Sequence, residues 1–193
     1  MPTLPFKHVQ SCSTSVSGYE PENLLDIYKK SRSWKGVAGK DSNTVILRLE
    51  KEDYVRNVDI GNEFSAFIEV LVSKSCELEA IFSVLIPSTS FMDPIECRNE
   101  RNGNRVKMFG PSHMNSSIAA QKWDLVKITC KQPFNKRLHY GIAFVRLTGG
   151  DEDMQNSPVM SPNLALSTIS GNFEDGTRPL HACNMRKCTF SHY

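Results

Sequence analysis

The chain has 193 residues, of which 39% are hydrophobic and 23% are charged, and its formal net charge is +2 at pH 7. This is the composition of an ordinary soluble globular protein, and the length suffices for one self-supporting domain. No apolar run approaches the roughly 18 residues of a membrane helix. The first residues, Met1-Pro2-Thr3-Leu4-Pro5, lack a secretory signal. We therefore expect a cytosolic or nuclear protein with no membrane partner, whose six scattered cysteines are free thiols.

The character of the sequence changes near Gly149-Gly150. Residues 1–150 carry 20 Lys and Arg against 16 Asp and Glu, whereas residues 151–193 carry 3 against 5. The second segment is also rich in Ser, Pro and Asn. We predict a folded domain over 1–150 and a largely disordered tail over 151–193. The basic balance of the domain mildly favours an anionic partner.

Apolar residues recur with a period near two through the predicted domain. This period predicts β-strands, over 6–12, 43–50, 55–62, 66–73, 78–86, 105–109, 124–131 and 141–147. Many short strands joined by loops are typical of an all-β, antiparallel sandwich of jelly-roll type.

Two short helices are also predicted. One follows Glu20, has Pro21 in its first turn and runs to about Tyr28. The other spans about 93–99, with Asp93 as the cap and Pro94 at the first helical position.

The predicted strand over 66–72 carries information about function. Alternation places one set of side chains inward, namely Ala66, Ile68, Val70 and Val72. The outward set is Phe67, Glu69 and Leu71. An outward aromatic beside a charge is typical of a partner-binding surface. The alternative is that a loop or helix of the same chain covers this face, and alternation alone does not decide between them.

Several blocks of sequence resemble the family of N-terminal domains of X-ray repair cross-complementing protein 1. The most informative are Val58-Asp59-Ile60-Gly61-Asn62 followed by Ser65-Ala66-Phe67, Asn104-Arg105-Val106-Lys107-Met108-Phe109-Gly110-Pro111, Trp123-Asp124 and Phe144-Val145-Arg146. Any one block is weak evidence. The blocks occur in the family's order from Met1 to about Leu147, so the resemblance covers the whole predicted domain.

The resemblance implies a galactose-binding-like jelly-roll domain that binds nicked or gapped DNA and docks DNA polymerase beta in the nucleus. It assigns polymerase contact to Phe67, Glu69 and Ile86. Some family members can form a disulfide from the cysteine that matches Cys12 to a second one, whose position here is Glu20. We therefore expect no redox switch there. The family scaffold continues well beyond this domain, so we expect a separate short protein or a truncated isoform.

For DNA, the candidate contacts are basic residues interleaved with aromatics. They are Lys29, Lys30, Arg32, Lys35, Arg105, Lys107, Lys122 and Lys127. Contacts to phosphate carry no base information, and an interrupted duplex bends cheaply. We therefore predict binding that depends on DNA structure rather than sequence. The alternative for any single one of these residues is a solvated surface charge.

No constellation of residues indicates catalysis, and we expect no cofactor, no metal and no small-molecule substrate. His181, Cys183, Cys188 and His192 could satisfy zinc by residue type, but their spacing matches no finger, and a disordered tail is favoured. The leading hypothesis is a non-enzymatic repair adaptor. The alternatives are a regulatory protein that binds the polymerase but has lost break binding, and a single-strand-break nuclease.

Overall fold

The period-two pattern is realised as eight strands in the part of the chain that the structure describes, residues 1–25, 33–76 and 80–150. The structure is a computed structural model. Its strands are β1 Phe6–Cys12, β2 Trp34–Gly36, β3 Asn43–Glu63, β4 Phe67–Ser73, β5 Ser83–Ser90, β6 Val106–Phe109, β7 Lys122–Lys131 and β8 Tyr140–Gly149. The predicted disordered tail, with its Cys and His cluster, lies outside the described residues.

Strand β3 replaces two of the predicted strands and belongs to both layers of the sandwich. Its first half pairs with β1 and β7, and its second half pairs with β8 and β6. The pairing with β7 shifts register between Arg48 and Asp53, which marks a bulge or irregularity in β3. A bulge bends a strand and increases its twist, which allows β3 to pass from one sheet into the other.

The two layers are a five-stranded sheet and a four-stranded sheet that share β3. The five-stranded sheet has the order β1-β3-β7-β4-β5, and the four-stranded sheet has the order β2-β8-β3-β6. All pairings between strands are antiparallel. The core between the sheets is aliphatic and includes Val45, Leu47, Val58, Ile60, Val70, Val126, Ile128, Val145 and Leu147. The predicted jelly-roll sandwich is confirmed.

Strand β5 lies later in the chain than the predicted strand over 78–86. It runs Ser83–Ser90 and includes Pro87, while residues 77–79 lie outside the described part. Proline has no N–H to donate, so it is tolerated in a sheet only at an edge or a bulge. Strand β5 offers both, because it is the edge of its sheet and its pairing with β4 shifts register twice.

The second predicted helix is confirmed with its cap. Helix α1 spans Pro94–Arg98, and the Asp93 side chain accepts hydrogen bonds from the backbone N–H groups of Ile95 and Glu96. The Glu96 side chain in turn accepts a hydrogen bond from the backbone N–H of Asp93. The first predicted helix is a 3-10 helix, Pro21–Leu24, and its predicted continuation lies outside the described residues. Helix α2, Ser116–Ala119, and the 3-10 turn Pro111–His113 were not predicted. In the described ranges, no helix has the length and apolar character to cross a bilayer.

Strand β2 was also not predicted, because its position depends on distant residues. Trp34 is fully buried, and its indole N–H donates to the carbonyl of Thr14 at 3.1 Å. The buried Asn43 side chain accepts from the Thr14 hydroxyl at 2.6 Å. A Cβ on Gly36 would lie 2.1 Å from the Asn43 Cγ atom, so only glycine permits this close approach of β2 to β3.

Candidate partner-binding face and DNA contacts

Alternation along β4 separates buried side chains from accessible ones, as predicted. Ile68 is 2% exposed and Val70 is 1% exposed, and both belong to the core. Phe67, Glu69 and Leu71 are half-buried on the opposite side of the strand. The three side chains therefore face away from the main core, on an interior strand of the five-stranded sheet. Phe67 packs there against a second, small cluster of buried residues that includes Met92 and Cys97.

The neighbouring strand β7 extends this outer surface. Phe67 is paired with Lys131, Glu69 with Thr129, and Leu71 with Lys127. Residues directly opposite on adjacent strands lie on the same side of a sheet. We call this surface the β4 face and define it by Phe67, Glu69, Leu71, Lys127, Thr129 and Lys131.

The Phe67 side chain is held in place by a second aromatic ring. Its ring centroid lies 5.8 Å from that of Phe134, at an interplanar angle of 52°. The backbone N–H of Phe134 donates to the Gln132 side chain at 3.2 Å, and Gln132 donates to the carbonyl of Phe64 at 2.6 Å. Phe67 is thus a half-buried aromatic whose orientation is fixed before any partner arrives, as expected of an anchor residue.

Glu69 lies between two hydrophobic neighbours on the β4 face. Within the described ranges, its carboxylate makes no hydrogen bond and no ion pair. A half-buried carboxylate without a partner has lost some hydration and gained no compensating contact. A cation on a docked protein would supply that contact.

The structure buries Ile86, the residue to which the resemblance assigned polymerase contact. Ile86 is 2% exposed, lies opposite the inward-facing Val70 and belongs to the core. The two register shifts in β5 interrupt its alternation and leave Val84 opposite Leu71. Val84 is 37% exposed, so Val84 is the aliphatic side chain that β5 adds to the β4 face.

The candidate DNA contacts do not form a single patch. Lys29, Lys30 and Arg32 lie outside the described residues. The Lys35 ammonium lies 2.7 Å from the Glu63 carboxylate, and its side chain is 18% exposed. It also lies 4.4 Å from the centroid of the Tyr19 ring. These contacts neutralise Lys35 within the fold, so it is poorly placed to meet phosphate.

Arg105 is likewise engaged within the domain. Its guanidinium forms two contacts with the Glu96 carboxylate, one of them at 2.8 Å, and donates to the carbonyl of Phe91 at 3.2 Å. A hydrogen bond from the Asn102 side chain lowers the pKa of Glu96, and a hydrogen bond from the Asp93 backbone lowers it further by a smaller amount. Arg105 therefore helps to fix β6 against helix α1.

Lys107 lies near the edge of the β4 face, and Lys127 lies on this face. The Lys107 ammonium donates to the carbonyl of Ser90 at 2.6 Å and lies 5.2 Å from the Phe91 ring. The Lys127 ammonium lies 5.1 Å from the Phe82 ring, and Lys127 is paired with Leu71. Lys127 therefore lies on the β4 face.

Lys122 is the one described candidate that lies beside a second cation on an aromatic ring. It is paired with Tyr54, and its ammonium lies 5.0 Å from the centroid of the Tyr54 ring. The Arg56 guanidinium lies 4.7 Å from the same ring. Sequence reasoning missed Arg56 and Tyr54, because the aromatic partner of Lys122 is on a different strand. We call these three residues, Tyr54, Arg56 and Lys122, the Tyr54 site.

Three cysteines of the described domain have raised pKa values. Burial raises the pKa of Cys130 to about 12, and burial also raises the pKa values of Cys12 and Cys97. A thiol with a raised pKa is a poor nucleophile because the thiolate is the reactive form. Within residues 1–25, 33–76 and 80–150, Cys12, Cys76, Cys97 and Cys130 are free, and no group of three or more metal-ligating side chains occurs.

The histidines of the described domain make structural contacts. His113 packs edge-on against the Phe109 ring at 6.0 Å, and His139 accepts from the backbone N–H of Ala38 at 3.2 Å. His8 is hydrogen-bonded to the Gln10 side chain at 3.1 Å. His113 also contacts the hydroxyl of the adjacent Ser112, with Oγ 3.4 Å from Nδ1. In the described ranges, none of these three histidines is hydrogen-bonded to a carboxylate that would orient it as a catalytic base.

Comparison with known proteins identifies relatives over the same region. The family model of the XRCC1 N terminal domain matches residues 1–147. DNA repair protein XRCC1 of Rattus norvegicus is 44% identical over 165 residues, which cover 82% of this chain and 26% of the relative. The Homo sapiens protein is 44% identical over 163 residues, which cover 82% and 25% respectively. The chain thus spans about a quarter of the length of these curated relatives.

Solved structures match the fold as well. Reduced XRCC1 bound to the DNA pol beta catalytic domain is 43% identical, with a TM-score of 0.73 and coverage of 77% of this chain and 99% of the other. The solution structure of the XRCC1 N-terminal domain is 43% identical, with a TM-score of 0.70 and coverage of 77% and 100%. A galactose complex of a family 32 carbohydrate-binding module shares the fold alone, at 14% identity and a TM-score of 0.51.

Proposed function

The chain belongs to the XRCC1 N-terminal domain family, and we propose that it is a non-enzymatic adaptor of DNA single-strand-break and base-excision repair. In this role it docks DNA polymerase beta through the β4 face and binds nicked or gapped DNA through a separate cationic surface. It lowers no chemical barrier, but it holds a polymerase close to a break and so raises the effective concentration of enzyme at its substrate.

The observation that carries the polymerase proposal is the composition of the β4 face. It combines a pre-oriented aromatic, Phe67, with an unpartnered carboxylate, Glu69, and the exposed aliphatic side chain of Val84. A relative of the same fold has been solved in complex with the DNA pol beta catalytic domain. An aromatic anchor with a central charge suits a specific protein partner, because truncating such residues removes most of the binding energy of an interface.

The test is calorimetric titration of the full chain with DNA polymerase beta. We expect Phe67→Ala and Glu69→Lys each to weaken binding by about 2 kcal/mol or more. Phe67→Ala removes the anchor, and Glu69→Lys turns an attraction to a partner cation into a repulsion. The matched controls are Val37→Ala and Glu50→Lys, which change exposed side chains outside the β4 face. Unchanged polymerase affinity in the two β4-face variants, with folding preserved, would overturn the proposed docking surface.

Break binding is the second half of the proposal and has its own measurement. Fluorescence anisotropy would follow binding of the full chain to gapped, nicked and intact duplexes of one sequence, across a salt series. We expect the interrupted duplexes to be preferred, and we expect affinity to fall as salt rises because phosphate contacts release counterions.

Three results would redirect the break-binding proposal. Polymerase affinity without affinity for any duplex would indicate a regulatory protein that has lost break binding. Cleavage that requires a divalent metal and survives extensive purification would indicate the nuclease alternative. Equal affinity for intact and gapped duplexes would remove the preference for breaks.

A repair adaptor acts on chromosomal DNA, so the proposed location is the nucleus. Imaging of the tagged full chain before and after oxidative damage tests this. Accumulation in the nucleus is expected, and a signal confined to the cytoplasm would contradict the proposed role.

A further inference from the structure

The outer surface of the four-stranded sheet carries accessible apolar side chains. On the edge strand β6, Val106 is 55% exposed and Met108 is 72% exposed. Their cross-strand neighbours on β3 are Gly61 and Asp59. Phe144 on β8 is also paired with Gly61, and a Cβ atom on Gly61 would lie 2.4 Å from the Cε1 atom of its ring. The Phe144 ring therefore lies over the glycine, on the outside of the sheet.

The same surface carries two opposite charges side by side. Asp59 on β3 is directly paired with Arg146 on β8. Both side chains point outward, because their neighbours Ile60 and Val145 belong to the core. Asp59 is half-buried and Arg146 is exposed. Within the described ranges, neither side chain forms a hydrogen bond or an ion pair, so both charges are available to a partner.

This surface suits a partner that offers both signs of charge. We call it the β8 face and define it by Asp59, Val106, Met108, Phe144 and Arg146. A partner of one sign would attract one of the two charges and repel the other. In an interface with two-fold symmetry, by contrast, each residue meets the residue that its own symmetry mate meets in return. We propose that the β8 face joins two copies of the chain, with Asp59 of each copy paired to Arg146 of the other.

The sheet geometry permits this arrangement. A two-fold axis that runs along the strands between β3 and β8 exchanges the positions of these strands in the two copies. It therefore places Asp59 opposite Arg146 twice, and it brings the two Phe144 rings together because each ring lies over Gly61. Sheets that pack face to face are about 10 Å apart, within reach of these side chains. The contact is small, so we expect weak and reversible association.

Dimerisation through the β8 face leaves the β4 face accessible. The β4 face lies on the outer side of the five-stranded sheet, and the β8 face lies on the outer side of the four-stranded sheet. These are opposite sides of the sandwich, so a dimer presents two β4 faces that point away from each other. The inference is independent of the proposed function, because no residue of the β8 face is a candidate contact for polymerase or DNA.

The test is sedimentation velocity of the full chain at concentrations raised to about 1 mM. We expect the average mass to rise from that of a monomer towards that of a dimer. Asp59→Lys and Arg146→Glu each place like charges opposite one another, so each should weaken dimerisation about tenfold or more. In an equimolar mixture of the two variants, both contacts again join opposite charges. The mixture should therefore form a mixed dimer with an affinity close to that of the unmodified chain.

Matched variants control for net charge and for folding. Glu50→Lys and Arg137→Glu reverse exposed charges outside the β8 face and should leave dimerisation unchanged, alone or mixed. The double variant Asp59→Arg with Arg146→Asp exchanges the two charges within one chain and should dimerise like the unmodified chain. Thermal unfolding of each variant establishes that it remains folded.

Each other outcome overturns the inference. A chain that stays monomeric at about 1 mM has no such interface. A dimer that neither charge reversal weakens, or that mixing the two variants does not restore, is built on another surface. Loss of affinity for gapped duplex in Arg146→Glu, with the unmodified chain monomeric, would assign the β8 face to nucleic acid. Since the mass measurement involves neither DNA nor polymerase, failure of the proposed function would leave its result unchanged.

Discussion

The two ends of β7 present different chemistry on the same strand. At the Lys131 end, the β4 face offers a pre-oriented aromatic and an unpartnered carboxylate, Phe67 and Glu69. At the Lys122 end, the Tyr54 site offers two cations beside a ring. The first suits an interface built on apolar burial with one specific charge, and the second suits a polyanion. The two ends of one strand therefore differ in the kind of partner that their charges suit.

The largest effect is expected on stability, from the core residue Ile86 beneath the β4 face. Ile86→Ala should lower the free energy of unfolding by about 2–5 kcal/mol, because the deleted atoms leave a cavity in a closely packed interior. Ile86 is 2% exposed, whereas Val84 is 37% exposed and Val84→Ala should change stability little. Chemical denaturation of both variants measures the difference. Equal stability of the two variants would contradict the assignment of Ile86 to the core and Val84 to the surface.

A smaller effect is expected from Val84 on polymerase binding. Val84→Arg should weaken polymerase affinity by about 2 kcal/mol, because a long charged side chain would be introduced opposite Leu71 within the β4 face. The same variant should keep its affinity for gapped duplex, since Val84 lies on β5 and two strands, β7 and β4, separate it from the strand that carries Tyr54. Calorimetry and anisotropy on one preparation would test both statements, and loss of both affinities would merge the two ends into one surface.

The salt dependence of binding should differ between gapped duplex and the polymerase. Between about 50 and 200 mM salt, affinity for gapped duplex should fall at least about tenfold, since each phosphate contact releases counterions. Polymerase affinity should change by less than about threefold, because a mainly apolar contact is weakly screened. The measurement is a paired salt titration of the unmodified chain. Equal salt responses would mean that one kind of contact serves both partners.

The smallest effect concerns Glu96, which engages the Arg105 cation that the sequence had grouped with the DNA contacts. The pKa of Glu96 is lower in the fold, chiefly through its hydrogen bond from Asn102. Its stabilising contribution is therefore present above the carboxyl's usual pKa of 4.5 and is lost as pH falls through the lower, folded-state value. Thermal unfolding from pH 6 to pH 3 should show a steeper loss for the unmodified chain than for Glu96→Gln. Parallel curves would contradict this assignment.

Local pattern predicted much of this molecule because local physics determines it. Alternation alone placed Phe67 and Glu69 outward, and the cap at Asp93 with Pro94 predicted helix α1. The sequence predictions failed where contacts between residues far apart in the chain determine the structure. The resemblance assigned Ile86 to polymerase contact, and its burial was not visible in the sequence because the register shifts of β5 depend on its pairing with β4.

For the candidate DNA contacts, the sequence could not show which charged side chains are paired. Sequence identifies a cation but not whether a carboxylate neutralises it, so Lys35 and Arg105 were grouped with the DNA contacts. The pairing partners, Glu63 and Glu96, become visible only once strands and helix are assembled. Arg56 was missed because the sequence does not show that β3 and β7 bring it close to the Tyr54 ring and to Lys122.

The long strand β3 also constrains how the chain can reach its native state. It contributes partners to β1 near the start of the chain and to β8 near residue 149, so both sheets depend on contacts between residues far apart in sequence. Domains dominated by such distant pairings fold slowly, since loops must close before the contacts that reward closure can form. Neither sheet can be excised from the other, because each would lose the strand that both share. A fragment that ends inside β3 should therefore stay unfolded, and a polypeptide still on the ribosome cannot complete its four-stranded sheet until β8 has been synthesised.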